Sequence, residues 1–93
     1  MQEAPARSGE ALYDQFCKTC HSLDGSVLPG PTFQGIGQSR TREALTESIL
    51  DPDATITEGF PPQLMLLTLN ALNFYSTTSD AEIESLVAFL EAQ

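Results

Sequence analysis

Tryptophan is absent from this chain, histidine occurs once, cysteine twice and basic residues four times. Four Lys/Arg against 13 Asp/Glu leave a net charge of −9. That excludes the basic patch that nucleic-acid binding needs and disfavours adsorption on an anionic membrane surface. It suits a basic protein partner, with an association that slows as salt rises; an acidic surface that serves only solubility fits the same composition. No stretch approaches the ~18 apolar residues needed to cross a bilayer. The best run, Leu64 to Leu72, is too short and holds Thr68 and Asn70. The N-terminal Met1-Gln2-Glu3-Ala4-Pro5 has neither a basic n-region nor an apolar h-region, so it does not read as a signal peptide. There is no strand-like alternation, repeat or low-complexity tract.

What the chain does have is helical patterning. Its 93 residues suffice for one domain, here 8–93 after a polar tail at 1–7. A domain this small is marginal without a staple such as a metal or another bound group. Ser8 is placed to cap a first helix running to about Thr19, with Glu10 at the positive end of its dipole and Leu12, Tyr13, Phe16 and Cys17 at helical spacing. Residues 22–39 carry Gly25, Pro29, Gly30, Pro31, Gly35 and Gly37 and read as loop. Thr41 can cap a helix from Arg42 to Leu50 with Leu45, Ile49 and Leu50 facing inward, ended by Asp51-Pro52-Asp53. Gly59-Phe60-Pro61-Pro62 breaks the chain again, and Pro62 suits the first turn of a helix to about Tyr75. Ser79-Asp80-Ala81-Glu82 is a capping box that opens a last helix with Ile83, Leu86, Val87 and Leu90 as its stripe and Phe89 beside it. The class is all-α: about four helices with long loops, suited to wrapping a prosthetic group.

The two cysteines and the one histidine fall together as Cys17-Lys18-Thr19-Cys20-His21, the C-x-x-C-H pattern of c-type haem attachment. Random placement of these three residues gives that pattern with a probability of about 2 in 10,000. On a helix, residues three and four apart share a face, so both thiols point at one porphyrin edge. Each can add to a vinyl group to form a thioether, and His21 follows as a ligand to the iron. The competing chemistries fit less well. A thioredoxin-like redox pair needs a βαβ context, and none is present. A zinc site needs four ligands, and no further Cys or His follows. A Cys17–Cys20 disulfide would close a tiny loop and stabilise little.

Over nearly its whole length from Ser8, the sequence resembles a class I c-type cytochrome, the monohaem cytochrome c family. Gly9, Tyr13 and Cys17 match the glycine–aromatic–haem-motif spacing of the family's first helix, and Leu86-Val87-Ala88-Phe89-Leu90 matches the run of its last helix. Gly30-Pro31-Thr32-Phe33 is similar to the family's Gly-Pro-x-Leu segment, with Phe in place of Leu. The resemblance implies one haem c, covalent through Cys17 and Cys20, with His21 as proximal ligand. It implies that the Pro31 carbonyl accepts a hydrogen bond from His21 Nδ1–H and that Phe33 packs on the porphyrin. Gly59-Phe60-Pro61-Pro62-Gln63-Leu64-Met65 resembles the segment that delivers the sixth ligand, which makes Met65 the second metal ligand; with one histidine, bis-His ligation within the chain is impossible. Met65 is followed by Leu66 in place of the family's proline, and Asp80 lies 15 residues on, so the ligand is expected in an extra helix. Arg40, with Arg42 as the alternative, is the candidate for a haem propionate.

The implied function is electron transfer without enzymatic activity, as a carrier or as a module of a respiratory or photosynthetic complex. Residues 49–56 resemble cytochrome domains fused to, or assembled with, membrane oxidoreductases. The docking face is expected near Lys18 and Thr19 with Phe60-Pro61-Pro62 alongside, and Glu43, Glu47, Asp51, Asp53 and Glu58 on the rim. The alternative is a haem enzyme or gas sensor with an open sixth site. The location implied is the periplasm or the outer face of the inner membrane, with a signal or anchor removed or a domain excised, and the isolated chain is expected to be a monomer with redox proteins as partners. Replacing both Cys17 and Cys20 by Ala is expected to leave a largely unfolded chain, because the prosthetic group supplies much of the core. Far-UV circular dichroism through a thermal scan checks this; cooperative unfolding from near-native helicity would contradict it.

Overall fold

A computed structural model describes residues 6–53 and 63–93. Helix α1 (Gly9–Leu12) opens on Ser8, whose hydroxyl accepts the Ala11 N–H at 3.1 Å, and passes directly into a π-helical turn, Tyr13–Cys17. Two four-residue helices, α2 (Ile36–Ser39) and α5 (Phe74–Thr77), flank the longer α3 (Arg42–Leu50) and α4 (Leu64–Ala71), and α6 (Asp80–Glu91) ends the chain. The described residues contain no strand.

Helix α6 is the hub, because its stripe is what the other elements bury. Ile83, Leu86, Val87 and Leu90 are all buried, and α1, α2 and α3 pack on α6. The α1–α6 crossing depends on Gly9. A Cβ there would strike the Ser85 carbonyl and lie 2.6 Å from Phe89 Cβ. No side chain fits between backbones that close. Just beyond the crossing, Tyr13 stacks at a tilt on Phe89 with centroids 5.5 Å apart. Phe16 meets Phe74 edge-to-face at 4.9 Å, which joins the start of the chain to α5.

Three departures from the sequence pattern have local causes. The 22–39 segment is not all loop: Gly35 takes φ 73, and α2 follows, with the Ile36 N–H donating to the Phe33 carbonyl and Gly37 pressed against the Glu91 carbonyl. The helix expected to run to about Tyr75 divides into α4 and α5 at Asn73, which sits in the left-handed region at φ 58. Leu50, expected to face inward, is 52% exposed while Leu45 and Ile49 are buried. Pro62 and the Gly59–Pro62 break lie outside the described residues.

Residues 1–5 of the expected tail also lie outside the described residues, but Arg7 is fastened down. Its guanidinium donates to Glu82 Oε2 at 2.7 Å, to Gln15 at 2.9 Å and to the Thr77 carbonyl at 2.7 Å, and lies 5.4 Å from the Phe16 ring centroid. Glu82 also completes the capping box, accepting the Ser79 N–H at 3.0 Å while Ser79 Oγ accepts the Glu82 N–H. The Arg7 side chain first, then the N–H groups of Ser79 and Arg7, hold the Glu82 carboxyl down at about 2 from an ordinary 4.5. A carboxylate depressed in the folded state stabilises fully above its unfolded value and loses that stabilisation as pH falls toward its folded one. The protein's resistance to denaturant is therefore expected to weaken between pH 4.5 and about 2. Glu82→Gln is expected to be less stable at pH 7 and to show a shallower loss over that window; an unchanged slope would assign the acid sensitivity elsewhere.

Candidate functional site

The C-x-x-C-H motif sits where the helical ladder changes. In the π turn the Lys18 N–H donates to the Tyr13 carbonyl at 2.9 Å, one residue beyond α-helical reach. The chain then bends, and the Cys17 carbonyl accepts both the Cys20 N–H at 3.1 Å and the His21 N–H at 2.9 Å. The helix thus stops at Cys17, short of the expected Thr19, and a turn brings Cys20 and His21 round to Cys17. The extra residue per turn leaves no mark in hydrophobic spacing, so the sequence pattern passes over it.

His21 is held on every side that the described residues reach. Its Nδ1–H donates to the Pro31 carbonyl at 2.7 Å. Phe33 lies parallel to it, with centroids 4.2 Å apart and planes 9° from coplanar. Its own carbonyl accepts the Tyr13 hydroxyl at 2.5 Å. The Pro31–Phe33 segment is brought there by backbone bonds, Gly30 N–H to the Cys20 carbonyl and Phe33 N–H to the Ser22 carbonyl, each 2.7 Å. Tyr13 is the contributor that sequence reasoning missed: its ring fits the aromatic position of the helix pattern, but nothing in spacing says where its hydroxyl goes. Burial pushes the imidazole below its ordinary value, and the Pro31 carbonyl partly opposes that. The ring is therefore neutral near pH 7 and carries its free lone pair on Nε2, the form that binds a metal. Burial, with Cys20 adding to it, pushes the Cys17 thiol up to about 12, so the unreacted sulfur stays protonated.

A cavity of about 340 Å³ opens in front of these groups. Cys17, Cys20, His21, Gly30, Pro31 and Phe33 form one wall; Leu45, Ile49 and Pro52 come from α3 and its end, and Leu64, Met65, Thr68 and Leu69 from α4. Gln34, Ser39, Arg40 and Ser48 supply polar atoms. The lining is more apolar than polar, as small-molecule sites are. A haem fits this donor set: two thiols three residues apart, one neutral imidazole, a thioether on another wall and a guanidinium for an anionic edge. Every site residue expected from the sequence, Cys17, Cys20, His21, Pro31, Phe33, Arg40 and Met65, lies on this one cavity. Arg42 does not; its guanidinium pairs with Glu91 at 2.8 Å.

Gly30 is the tightest point of the wall. A Cβ there would lie 2.6 Å from His21 Cε1 and 2.8 Å from the Cys20 carbonyl oxygen. Gly30→Ala is expected to push the imidazole off its Pro31 partner and to cost about 1–3 kcal/mol, as overpacked sites do. Denaturant unfolding of the haem-loaded protein measures the loss, and the absorption spectrum reports the disturbed ligand. Wild-type values for both would show that the ring has room to move.

No match to a curated protein is found. The family described as Cytochrome c matches residues 6–93, close to the whole chain. Its members carry covalently bound haem c and transfer electrons, and Cys17 and Cys20 of this chain stand in the attachment spacing. The chain belongs to the cytochrome c family.

Proposed function

We propose that this protein is a single-electron carrier, or the electron-transfer module of a larger respiratory or photosynthetic complex, with its iron held between His21 and Met65. The observation that carries this is the placement of His21 and Met65 on one cavity with the two attachment thiols. Bound haem supplies an iron centre that gains and loses one electron. The chain does the rest. Pro31 and Phe33 fix the His21 ring and leave Nε2 as the nitrogen that would bind the metal, and the hydrogen bond on Nδ1 would make it a better donor. The Met65 thioether would supply the second protein ligand, a poor σ-donor that favours the reduced ion. Leu45, Ile49 and Leu69 exclude water, which disfavours the extra positive charge of the oxidised state. Arg40, which lines the same cavity, is the residue we assign to a propionate. No step moves a proton or breaks a bond, so the fold can stay rigid while the electron moves, which is what a carrier requires of it.

Electrostatics suit a basic partner. Three of the four basic side chains are engaged in ion pairs, Arg7 with Glu82, Lys18 with Asp14 and Arg42 with Glu91, and the fourth, Arg40, lines the cavity. Little free positive charge is left to oppose the acidic field. Lys18 and Thr19 are exposed beside the thioether wall, as are Glu43, Glu47 and Asp51 on α3 and its end; Glu58 and Phe60-Pro61-Pro62 lie outside the described residues. Redox encounters of this kind are small and short-lived, which permits turnover. No helix among the described residues is long and apolar enough to cross a membrane. The periplasm, or the outer face of the inner membrane, is the location that fits haem c attachment.

The test is optical and electrochemical. The oxidised protein is expected to show a weak far-red sulfur-to-iron band, and Met65→Ala to lose it, to bind carbon monoxide when reduced, and to fall in reduction potential by on the order of 100 mV, within the roughly 0.8 V that axial ligands span. A five-coordinate high-spin wild type that binds carbon monoxide would favour a gas sensor or haem enzyme instead.

A further inference from the structure

Helix α4, which carries Met65 as its second residue, begins in an unusual way. Its N-cap, Gln63, adopts φ 67 and ψ −11, the left-handed region, and its side chain makes no capping hydrogen bond. Helices α1, α3 and α6 are each capped by the hydroxyl of their own N-cap residue, Ser8, Thr41 and Ser79. In α4 the corresponding support comes from ten residues back: the Gln63 N–H donates to Asp53 Oδ1 at 2.8 Å. A non-glycine residue stays in the left-handed region only where its surroundings hold it, and a carboxylate beside a helix N-terminus meets the positive end of the dipole. Asp53 is itself steadied by its neighbour Pro52, which is buried and has a fixed φ. Asp53, Gln63 and Met65 all line the haem cavity.

We propose that Asp53 is a positioning residue for Met65. By accepting the Gln63 N–H, its carboxylate pins the first turn of α4 to the end of α3 and so fixes how far the Met65 sulfur stands from the iron. The bond makes the sixth ligand hard to displace. This rests on Met65 being that ligand.

The bond can be probed by competition, since an external ligand must displace Met65 to reach the iron. Oxidised, haem-loaded wild type, Asp53→Ala, Asp53→Asn and Arg7→Ala are titrated with imidazole while the far-red band is followed. Asp53→Ala is expected to bind imidazole about tenfold more tightly, the scale of one lost hydrogen bond to a charged group. Asp53→Asn keeps an oxygen acceptor and is expected to stay near wild type. Arg7→Ala breaks the contacts to Glu82, Gln15 and Thr77 without touching Asp53 or Gln63 and is expected to leave imidazole affinity unchanged. An unaltered affinity in Asp53→Ala, with the far-red band present, overturns the proposal and leaves Met65 ligation standing. An equal gain in Arg7→Ala also overturns it, since the effect would be general loosening. A wild type without the far-red band removes Met65 ligation and this proposal with it. If Asp53→Ala yields no haem-loaded protein, hydrogen exchange at the Gln63 amide of wild type decides: protection that falls when imidazole displaces Met65 supports the coupling, and unchanged protection overturns it.

Discussion

Everything in the site refers to the hydrogen bond between His21 Nδ1 and the Pro31 carbonyl. It fixes which nitrogen carries the proton, and so which one is free for a metal. It sets the ring plane that Phe33 then stacks against. It can form only because Gly30 lets the loop pass within contact of the imidazole edge and because Gly30 and Phe33 anchor that loop to Cys20 and Ser22. The turn-rich segment after the motif is therefore a rigid part of the site: its glycines and prolines buy a close approach that no side-chain-bearing loop could make.

The two faces of the cavity are built on different principles. The thiol and imidazole wall hangs from α1, and α1 is locked to α6 by the Gly9 crossing, the Tyr13–Phe89 contact and the Arg7–Glu82 pair. That half resembles an ordinary helical core. The part of the lining that holds Met65 hangs from α4, which packs on the short α5. Leu64, Leu67 and Leu72 around it stay substantially exposed, which is little burial for so apolar a helix. Buried Leu69 and the Asp53 bond to Gln63 hold it, and α5 beside it is tied down by Phe74 against Phe16 and by the Tyr75 hydroxyl on the Ile49 carbonyl at 2.6 Å. A cofactor bonded to the first wall and ligated by the second would join the halves, which is why the loss of covalent attachment is a matter of folding as well as of function.

The sequence made some of this legible and hid the rest for physical reasons. The caps at Ser8, Thr41 and Ser79 were readable because hydroxyl capping is local, and the α6 stripe because helical burial is periodic. The attachment cysteines were readable because a short motif marks them, and the seven residues that the motif and the resemblance single out line one cavity. The π turn was not readable, since one widened turn shifts no hydrophobic position. The role of the Tyr13 hydroxyl was not, since a buried aromatic ring and a buried hydrogen-bonding phenol look alike in one dimension. Leu50 was misplaced because it ends its helix, where the stripe no longer dictates which side faces in.

The Asp53–Gln63 bond was hidden for a further reason: it joins two residues ten apart that no periodicity relates. Its physical consequence follows from where α4 gets its stability. An exposed, apolar, eight-residue helix without a local cap has little tendency to hold its first turn. Met65, the sixth ligand we propose, is the second residue of that helix. Such a helix must therefore be given its starting point from outside, and the group that supplies it sets the sixth ligand's freedom to leave. In a carrier that freedom has to be small, because an iron that changes partners when it changes charge must reorganise at every transfer. The carboxylate of Asp53 is placed to keep it small at no expense to the apolar lining, since it binds the backbone at the cavity's edge and leaves the sulfur to the metal.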